Sequence, residues 1–402
     1  METDYVRIAT NYFRIVEKPN NQGELQPKLI PWKRQTILDD YDKDYANAIE
    51  KFKDFIIEPN HLNYNRNIQN FYNKYSPLSH NLKADYKDNQ LTSTLQFLEH
   101  IFGDQLNFGL DYLSLLMQKP REILPILCLV SDERNTGKTT FLNWLKLIFE
   151  DNKTNVTNED LRGRFNSDWT EKLIIGVDEV YLEKKQDSER LKNLSTANTF
   201  KTESKGKDKY ESEFFGKFIL CSNNETNFIQ ISDREIRFWI RKVPTLKVMD
   251  PNLFENLIIE AHYFACFLAN RAIKQKKDTR MWFTPEQIYT DALGVVKRGT
   301  KHSQETELIE ILLDMYSKFE TDEICLTGRE IQECFRSSGH SISKQEISRI
   351  VENIWKLKKT NSSYVSYITT LNHQSEEVIG SEKLKGRFYT FQKNFIDSML
   401  NC

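Results

Sequence analysis

No two cysteines of this 402-residue chain stand in a C-x-x-C spacing; the six, at positions 128, 221, 266, 325, 334 and 402, are scattered. That argues against both a zinc site and a disulfide framework. The seven histidines are equally dispersed, so no protein-built metal centre is expected. No apolar run is long enough to cross a bilayer. With 28% charged residues and a mean hydropathy of -0.61, the composition is that of a soluble protein without a membrane segment. The N-terminus, Met1-Glu-Thr-Asp-Tyr5, lacks the basic-then-apolar order of a secretory signal, which makes the cytoplasm the expected location. An excess of positive charge is also missing: the net charge is -2, so nucleic acid could be gripped only by local basic clusters. The length allows two or three domains, each with its own core.

What is present centres on the stretch from Leu127 to Phe141, Leu-Cys-Leu-Val-Ser-Asp-Glu-Arg-Asn-Thr-Gly-Lys-Thr-Thr-Phe, an apolar strand, a tight polar loop and a helix. Ile123 to Val130 is an apolar run of strand length, and Phe141, Leu142, Trp144, Leu145, Ile148 and Phe149 recur at helical spacing. Gly137-Lys138-Thr139 fits the end of a phosphate-binding loop, in which backbone N–H groups at a helix N-terminus hold phosphates, the lysine reaches the β- and γ-phosphates and the hydroxyl ligates Mg²⁺. Asn135, Thr136 and Thr140 complete the candidate cradle. The pattern wants glycine where this chain has Asp132, so the loop is expected to open differently. The competing structural account is a helix capped by Thr136 after a buried strand.

Leu173-Ile-Ile-Gly-Val-Asp-Glu-Val180 is a second apolar strand and ends in paired carboxylates. Two acids suit two tasks: Asp178 to hold Mg²⁺ and Glu179 to polarise an attacking water. Next, Lys201, Lys205, Lys207 and Lys209 surround Gly206 in what reads as a hairpin tip near Phe200, Phe214 and Phe215. Lysines beside an aromatic can grip a nucleic-acid backbone without reading sequence, although composition alone equally allows a solvated turn. A third strand, Lys217 to Cys221, runs into Ser222-Asn223-Asn224, an amide placed to orient water or sense a phosphate. Ser232-Asp-Arg-Glu-Ile-Arg-Phe238 supplies Arg234 and Arg237, one of which could complete a neighbouring subunit's site.

Upstream, the chain starts with short strand-like runs (Tyr5 to Ile8, Tyr12 to Val16) and then a helix from about Tyr41 to Ile57, and the N-terminal domain as a whole is expected to be mainly helical. Asp39-Asp40-Tyr41-Asp42 imitates a two-metal carboxylate pair, but acidic residues also favour a helix start. Residues 61–89 read as an irregular connection, followed by helices at Leu91 to Phe102 and Gln105 to Gln118. Downstream, Pro251 to Ala272 forms an apolar-periodic helix, and Thr284-Pro-Glu-Gln287 opens another with a capping box. Helices at Glu305 to Phe319, Gly328 to Arg336 and Lys344 to Lys358, then strands at Ser363 to Leu371 and Gly386 to Phe391, suggest a winged-helix-like domain carrying Lys344, Arg349, Lys356, Lys358 and Lys359. A helical packing module with a charged face is the alternative.

Taken in order, the phosphate loop, Val-Asp-Glu strand, lysine hairpin, Ser-Asn strand end and Asp-Arg-x-x-Arg-Phe resemble the superfamily 3 helicases, AAA+ replication motors of small DNA viruses, phages and plasmids. The chain looks most similar to their poxvirus and phage primase-helicase branch. The resemblance implies an α/β fold with an AAA+ P-loop NTPase core, ATP and Mg²⁺ as cofactors, a homo-oligomeric and hexameric ring, movement in the 3′ to 5′ direction, and single-stranded and forked DNA as partners. It assigns Lys138 and Thr139 to the Walker A motif, Asp178 and Glu179 to Walker B, Asn223 to the sensor, and the DNA-gripping hairpin to Lys205 or Lys207. Arg234 and Arg237 both fall near the arginine finger. No primase domain is recognisable, so a separate primase or polymerase would act with this chain, in the host cytoplasm if a phage encodes it. The expected division is an N-terminal domain at 1–89, an ATPase domain with helical collar at 90–250, a helical linker at 251–302 and the winged-helix-like domain at 303–402. A different class remains possible, a non-translocating AAA+ switch acting as initiator or partner-remodelling protein.

Overall fold

Tyr5 and Val6 are both buried, in two separate apolar clusters, because adjacent side chains of a strand point to opposite faces. In the computed structural model, which describes residues 4–400 apart from 20–22, 24, 183, 204, 207, 233, 234, 248, 249 and 372–376, that strand belongs to a four-stranded sheet. Lys207 and Arg234, singled out above, therefore lie outside the described residues. The sheet has the order β3-β2-β1-β4, built from β1 (Tyr5–Ile8), β2 (Asn11–Pro19), β3 (Leu25–Trp32) and β4 (Glu50–Phe52), with the short helices α1 (Arg34–Asp40) and α2 (Lys43–Ala48) between β3 and β4. A smaller sheet joins β5 (Phe55–Ile56), β6 (Asn67–Ile68) and β7 (Phe71–Asn73). This corrects two expectations: the N-terminal region is strand-built and not mainly helical, and the helix drawn from Tyr41 to Ile57 is only α2. Asp42 caps that helix by accepting from Tyr45 N, and its apolar neighbours Ile49 and Phe52 serve two different clusters, which needs a change of direction. The acidic run around Asp40 is thus a helix end and a cap.

The central sheet carries the candidate site. After α3 (Thr92–Phe102) and α4 (Leu106–Gln118) come β8 (Ile126–Val130), α5 (Lys138–Phe149), β9 (Lys153–Val156), α6 (Asn158–Arg162), β10 (Ile174–Val177), α7 (Lys185–Ser195), the hairpin β11 (Thr199–Thr202) and β12 (Tyr210–Glu213), β13 (Lys217–Ser222) and β14 (Phe238–Lys242). β14, β8, β13, β10 and β9 form, in that order, one all-parallel sheet. Every residue of β8, β10 and β13 is buried, as expected of parallel strands covered on both faces. α8 (Leu253–Asn270) lies against α3, α4 and α5, and the aromatic core includes Phe102 stacked on Trp239 with ring centroids 5.4 Å apart. Beyond α8, Asp111 is fully buried on α4 and accepts from the Arg271 guanidinium and from Lys274 N and Gln275 N (2.7 Å for the last).

Two compact units divide the chain: Met1–Val180 with Leu191–Asn224 and Ile236–Leu293, and Tyr181–Arg190 with Glu225–Glu235 and Gly294–Cys402. The second unit contains most of α9 (Asp291–Phe319), then β15 (Glu323–Thr327), α10 (Gly328–Ser337), α11 (Lys344–Ile347) continued by a π-helical segment Ser348–Ile354, the long pair β16 (Thr360–Leu371) and β17 (Glu377–Gln392), and α12 (Lys393–Leu400). Its antiparallel sheet has the order β15-β17-β16. β15 was not foreseen, and α9 runs unbroken through the boundary drawn at 302 and 303. The expected capping box does form, with Thr284 N donating to Gln287 Oε1 and Gln287 N to Thr284 Oγ1, yet it closes only a turn. The helix starts at Asp291, where Thr290 Oγ1 accepts from Leu293 N.

The Asp111 cluster generates a stability expectation. Asp111→Ala should destabilise the first unit by about 3–5 kcal/mol, since it strands a buried guanidinium and two backbone donors. A loss of unfolding free energy within the range of a neutral surface substitution, about 0.5 kcal/mol, measured by denaturant titration, would contradict this.

Candidate functional site

The N-terminus of α5 is the focus of the first unit. Asn135 (φ +56°) and Gly137 (φ +85°) both take the left-handed conformation and flank buried Thr136, so the chain curls around successive N–H groups before the helix starts. The first helical N–H groups have no intrahelical acceptor and carry the positive end of the helix dipole. Asp132 is not left-handed, which is why glycine is dispensable there; the turn is made three residues later, by an asparagine. Lys138 is buried, its Nζ donating to Thr136 Oγ1 (3.0 Å) and weakly to Ser131 O (3.4 Å). Thr139 Oγ1 donates to Asp178 Oδ2 at 2.8 Å, uniting the helix start with the end of β10. Thr140 follows in the first turn of α5.

Glu179, next to Asp178, is a non-glycine residue at φ +53°. Such a backbone is costly unless its surroundings hold it. Here Glu179 N donates to Asp178 Oδ1 (3.1 Å), Asn158 Nδ2 donates to Glu179 O (3.3 Å), and Val180 N donates to Cys221 O (2.8 Å). Ser222 Oγ closes the group on Val180 O (3.0 Å). Asn223 is exposed and follows the last residue of β13, whose Ser222 is in register with Val130 at the end of β8; it therefore stands at the same sheet edge as the loop. Arg237 does not. It precedes β14, whose Phe238 is in register with Ile126 and Lys242 with Val130, and Arg237 O accepts from Ile126 N. At about 3.3 Å per residue the loop edge is ~13 Å further along the strand, beyond a single arginine's reach.

The lysine stretch is a hairpin, with Thr199 paired to Glu213 and Thr202 to Tyr210, and with Gly206 (φ +77°) and exposed Lys205 in its connection. Lys201 lies exposed on β11, whereas Lys209 Nζ pairs with Glu203 Oε2 at 2.8 Å. That bond, followed by Arg164, holds the Glu203 carboxyl below its ordinary pKa. The hairpin is braced by Asn166, which donates to Lys201 O and accepts from Glu203 N (2.8 Å).

A family model described as a family of unknown function (DUF5906) matches residues 129–237. The DNA primase-polymerase of Nitratiruptor phage NrS-1 is 29% identical over 154 residues, which is 36% of this chain and 21% of that protein, so the chain spans about a fifth of the length of this curated relative. Two solved apo structures of the NrS-1 C-terminal region align over 96% of this chain and 95% of theirs, with TM-scores of 0.59 and 0.56, at 15% identity. The chain has the fold of the NrS-1 C-terminal region. The DUF5906 match begins within β8 and ends at Arg237, so it takes in the loop, the acid pair, the hairpin and Asn223.

Several residues of this NrS-1-like fold went unseen in the sequence. His100 Nε2 donates to Thr136 O (3.0 Å), and the Phe97 ring lies 3.0 Å from where a Cβ would stand on Gly137, so α3 supports the loop from behind. Neither carries a local signal. Arg164 and exposed Phe165 join the hairpin surface, and the run Arg162-Gly-Arg-Phe was the one legible hint of them. Gly176 leaves space for Asn155 and for Lys153, whose amine donates to Asn155 Oδ1 and is drawn down to about 8 by burial and by nearby Lys146. Among the basic residues of the second unit, Arg349 is paired with Glu346 and Lys359 with Glu352, while Lys344, Lys356 and Lys358 are exposed.

The loop's left-handed positions predict an asymmetry. Asn135→Val should destabilise the loop, because a β-branched residue in the left-handed region costs about 1–2 kcal/mol, whereas Asp132→Gly, which leaves that position untouched, should cost less. Denaturant unfolding of the two variants checks this; equal losses would show that the curl at Asn135 has no special part in shaping the loop.

Proposed function

We propose that this chain is the motor part of a phage or mobile-element replication protein, an ATP-dependent DNA helicase of the superfamily 3 type working as an oligomeric, hexameric ring. The observation that carries the reading is the Thr139–Asp178 contact at 2.8 Å beside a lysine-bearing helix N-terminus. A hydroxyl and a carboxylate oxygen converging there suit a hard divalent cation that keeps most of its ligands as water and phosphate. The strand order β14-β8-β13-β10-β9, numbered by succession 5-1-4-3-2, supports an AAA+ assignment.

Bound ATP would supply the phosphoanhydride, and Mg²⁺ the charge that bridges its phosphates. The remaining work belongs to the chain. Lys138 exchanges its intraloop partners for phosphate oxygens, and the N–H groups of residues 135–140 cradle the anion. Thr139 and Asp178 hold the metal. Glu179 accepts from water on the open side, and Asn223 orients it. Arg237, at the opposite sheet edge, serves a neighbouring subunit, which makes the active unit at least a dimer and a closed ring the natural assembly. Lys201 and Lys205, with Arg164 and Phe165 beside them, face single-stranded DNA. In the second unit, the succession α9, β15, α10, α11, β16, β17 supports a winged-helix-like domain whose exposed Lys344, Lys356 and Lys358 bind DNA. A separate primase or polymerase would supply strand synthesis if this chain is a protein of its own.

Lys138→Ala should lower ATP hydrolysis by about 10³, since the loop loses its cation at the transferred phosphate. Arg237→Ala should be equally inactive alone, yet mixtures of the two variants should recover part of the turnover, because the Arg237 of a Lys138→Ala subunit can complete the intact loop of an Arg237→Ala neighbour. Inactive mixtures in assembled rings would refute the shared site.

The hairpin separates a translocating motor from a stationary ATP switch. Lys201→Ala with Lys205→Ala should remove fork unwinding and DNA-stimulated hydrolysis, keep basal hydrolysis, and flatten the salt dependence of single-strand binding by about 1.4 units. If the double variant unwinds a fork at the parental rate, the switch is the better account.

A further inference from the structure

The segments that leave the phosphate edge of the central sheet do not fold with it. Tyr181–Arg190 follows Glu179 almost at once, and Glu225–Glu235 bridges Asn223 and Arg237; both belong to the second compact unit. Inside that unit they join each other, with Leu182 N donating to Phe228 O (2.7 Å) and Leu182 bridging Ile229 in parallel. The longer connection is then seated on α9. Ile231 N donates to Thr300 Oγ1 (3.0 Å), the same hydroxyl donates to Val296 O (3.0 Å), and Lys297 Nζ donates to Glu235 O (3.1 Å). Gly299 stands in the helix interior, where glycine is a poor helix former. Its reason is contact: a Cβ there would lie 2.2 Å from Thr226 O, a backbone atom that no rotamer change can move. Beside the contact is a cavity of about 610 Å³ lined by Thr226, Gln230, Thr300, Glu307 and His340, so the connection has room to shift once its seat changes.

We propose that Gly299 and Thr300 are positioning residues of the hydrolysis site, through which the C-terminal unit sets turnover. They fix where Glu225–Glu235 lies on α9. Because the backbone continues directly from that segment to Asn223 at one end and to Arg237 at the other, its seat determines where both groups are held. The same segment also carries, through Leu182, the chain that follows Glu179. A change of state in the C-terminal unit, such as binding DNA, would reach the catalytic groups by this route without touching the phosphate loop. The proposal rests on the ATPase reading given above.

The test measures ATP affinity and hydrolysis separately in full-length Gly299→Ala, Gly299→Val, Thr300→Val and Thr300→Ser, beside the parent and Lys138→Ala. Gly299→Val and Thr300→Val should hydrolyse ATP about fivefold or more slowly at parental affinity, a size typical of coupling between sites. Gly299→Ala should fall between, and Thr300→Ser, which keeps the hydroxyl, should match the parent. If the parent itself does not hydrolyse ATP, it is the ATPase reading that fails, and the positioning role falls with it. If the parent is active and Gly299→Val and Thr300→Val turn over at its rate, only the positioning role is overturned. Should Gly299→Val fail to bind ATP, the Thr300 pair decides: affinity and rate lost together in Thr300→Val, or an equal rate loss in Thr300→Ser, would mark a merely structural residue and overturn the proposal.

Discussion

The hydrogen bond from Thr139 to Asp178 depends on a choice of strand order. β8 and β10 are not neighbours; β13 lies between them, in register with both. α5 must cross so that its first turn meets the end of β10, and the fully buried central strands hold that crossing in place because each is covered on both faces. Around this bond the remaining groups take their positions: the left-handed curl before α5, the strained Glu179 after β10, and Asn223 after β13. His100 and Phe97 reinforce the loop from α3, and α8 covers α3, α4 and α5 in turn.

The same parallel sheet has two chemically different edges. One collects helix N-termini, carboxylates and the lysine of the loop; the other carries Arg237 at the start of β14. A parallel sheet keeps its ends apart by the length of its strands, so the loop after β8 and Arg237 before β14 stand at opposite ends of one subunit's sheet.

The connections from the phosphate edge give the molecule its second constraint. In a simple nucleotide-binding sheet they would return directly to the next strand. Here they belong to the C-terminal unit, and Glu179, Asn223 and Arg237 lie close in sequence to the points where the chain enters and leaves it. A helix-interior glycine and a buried threonine on α9 receive the longer one, beside a cavity of about 610 Å³.

The local sequence determined the elements whose signals are dense and contiguous. Apolar runs announced β8, β10 and β13, helical spacing announced α5, and α10 and α11 begin at Gly328 and Lys344, where helices were expected. The candidate residues Lys138, Thr139, Asp178, Glu179 and Asn223 were legible as candidates because they follow closely on strands that pattern reveals. Other strands were not: β9 (Lys-Thr-Asn-Val) is as long as β10 but has no apolar run, β15 (Glu-Ile-Cys-Leu-Thr) is only half buried, and the N-terminal sheet splits its apolar residues between two clusters, so that neither period is regular. The capping box at Thr284 formed but produced only a turn, because caps satisfy N–H groups without supplying the buried face that sustains a helix. Tertiary structure alone decided that Asn135 replaces the missing glycine at Asp132, that α3 supports the loop, that Arg237 faces away from its own chain's loop, and that the segment between Asn223 and Arg237 rests on α9. These are facts of strand order and long-range packing, and no local window of sequence contains both partners.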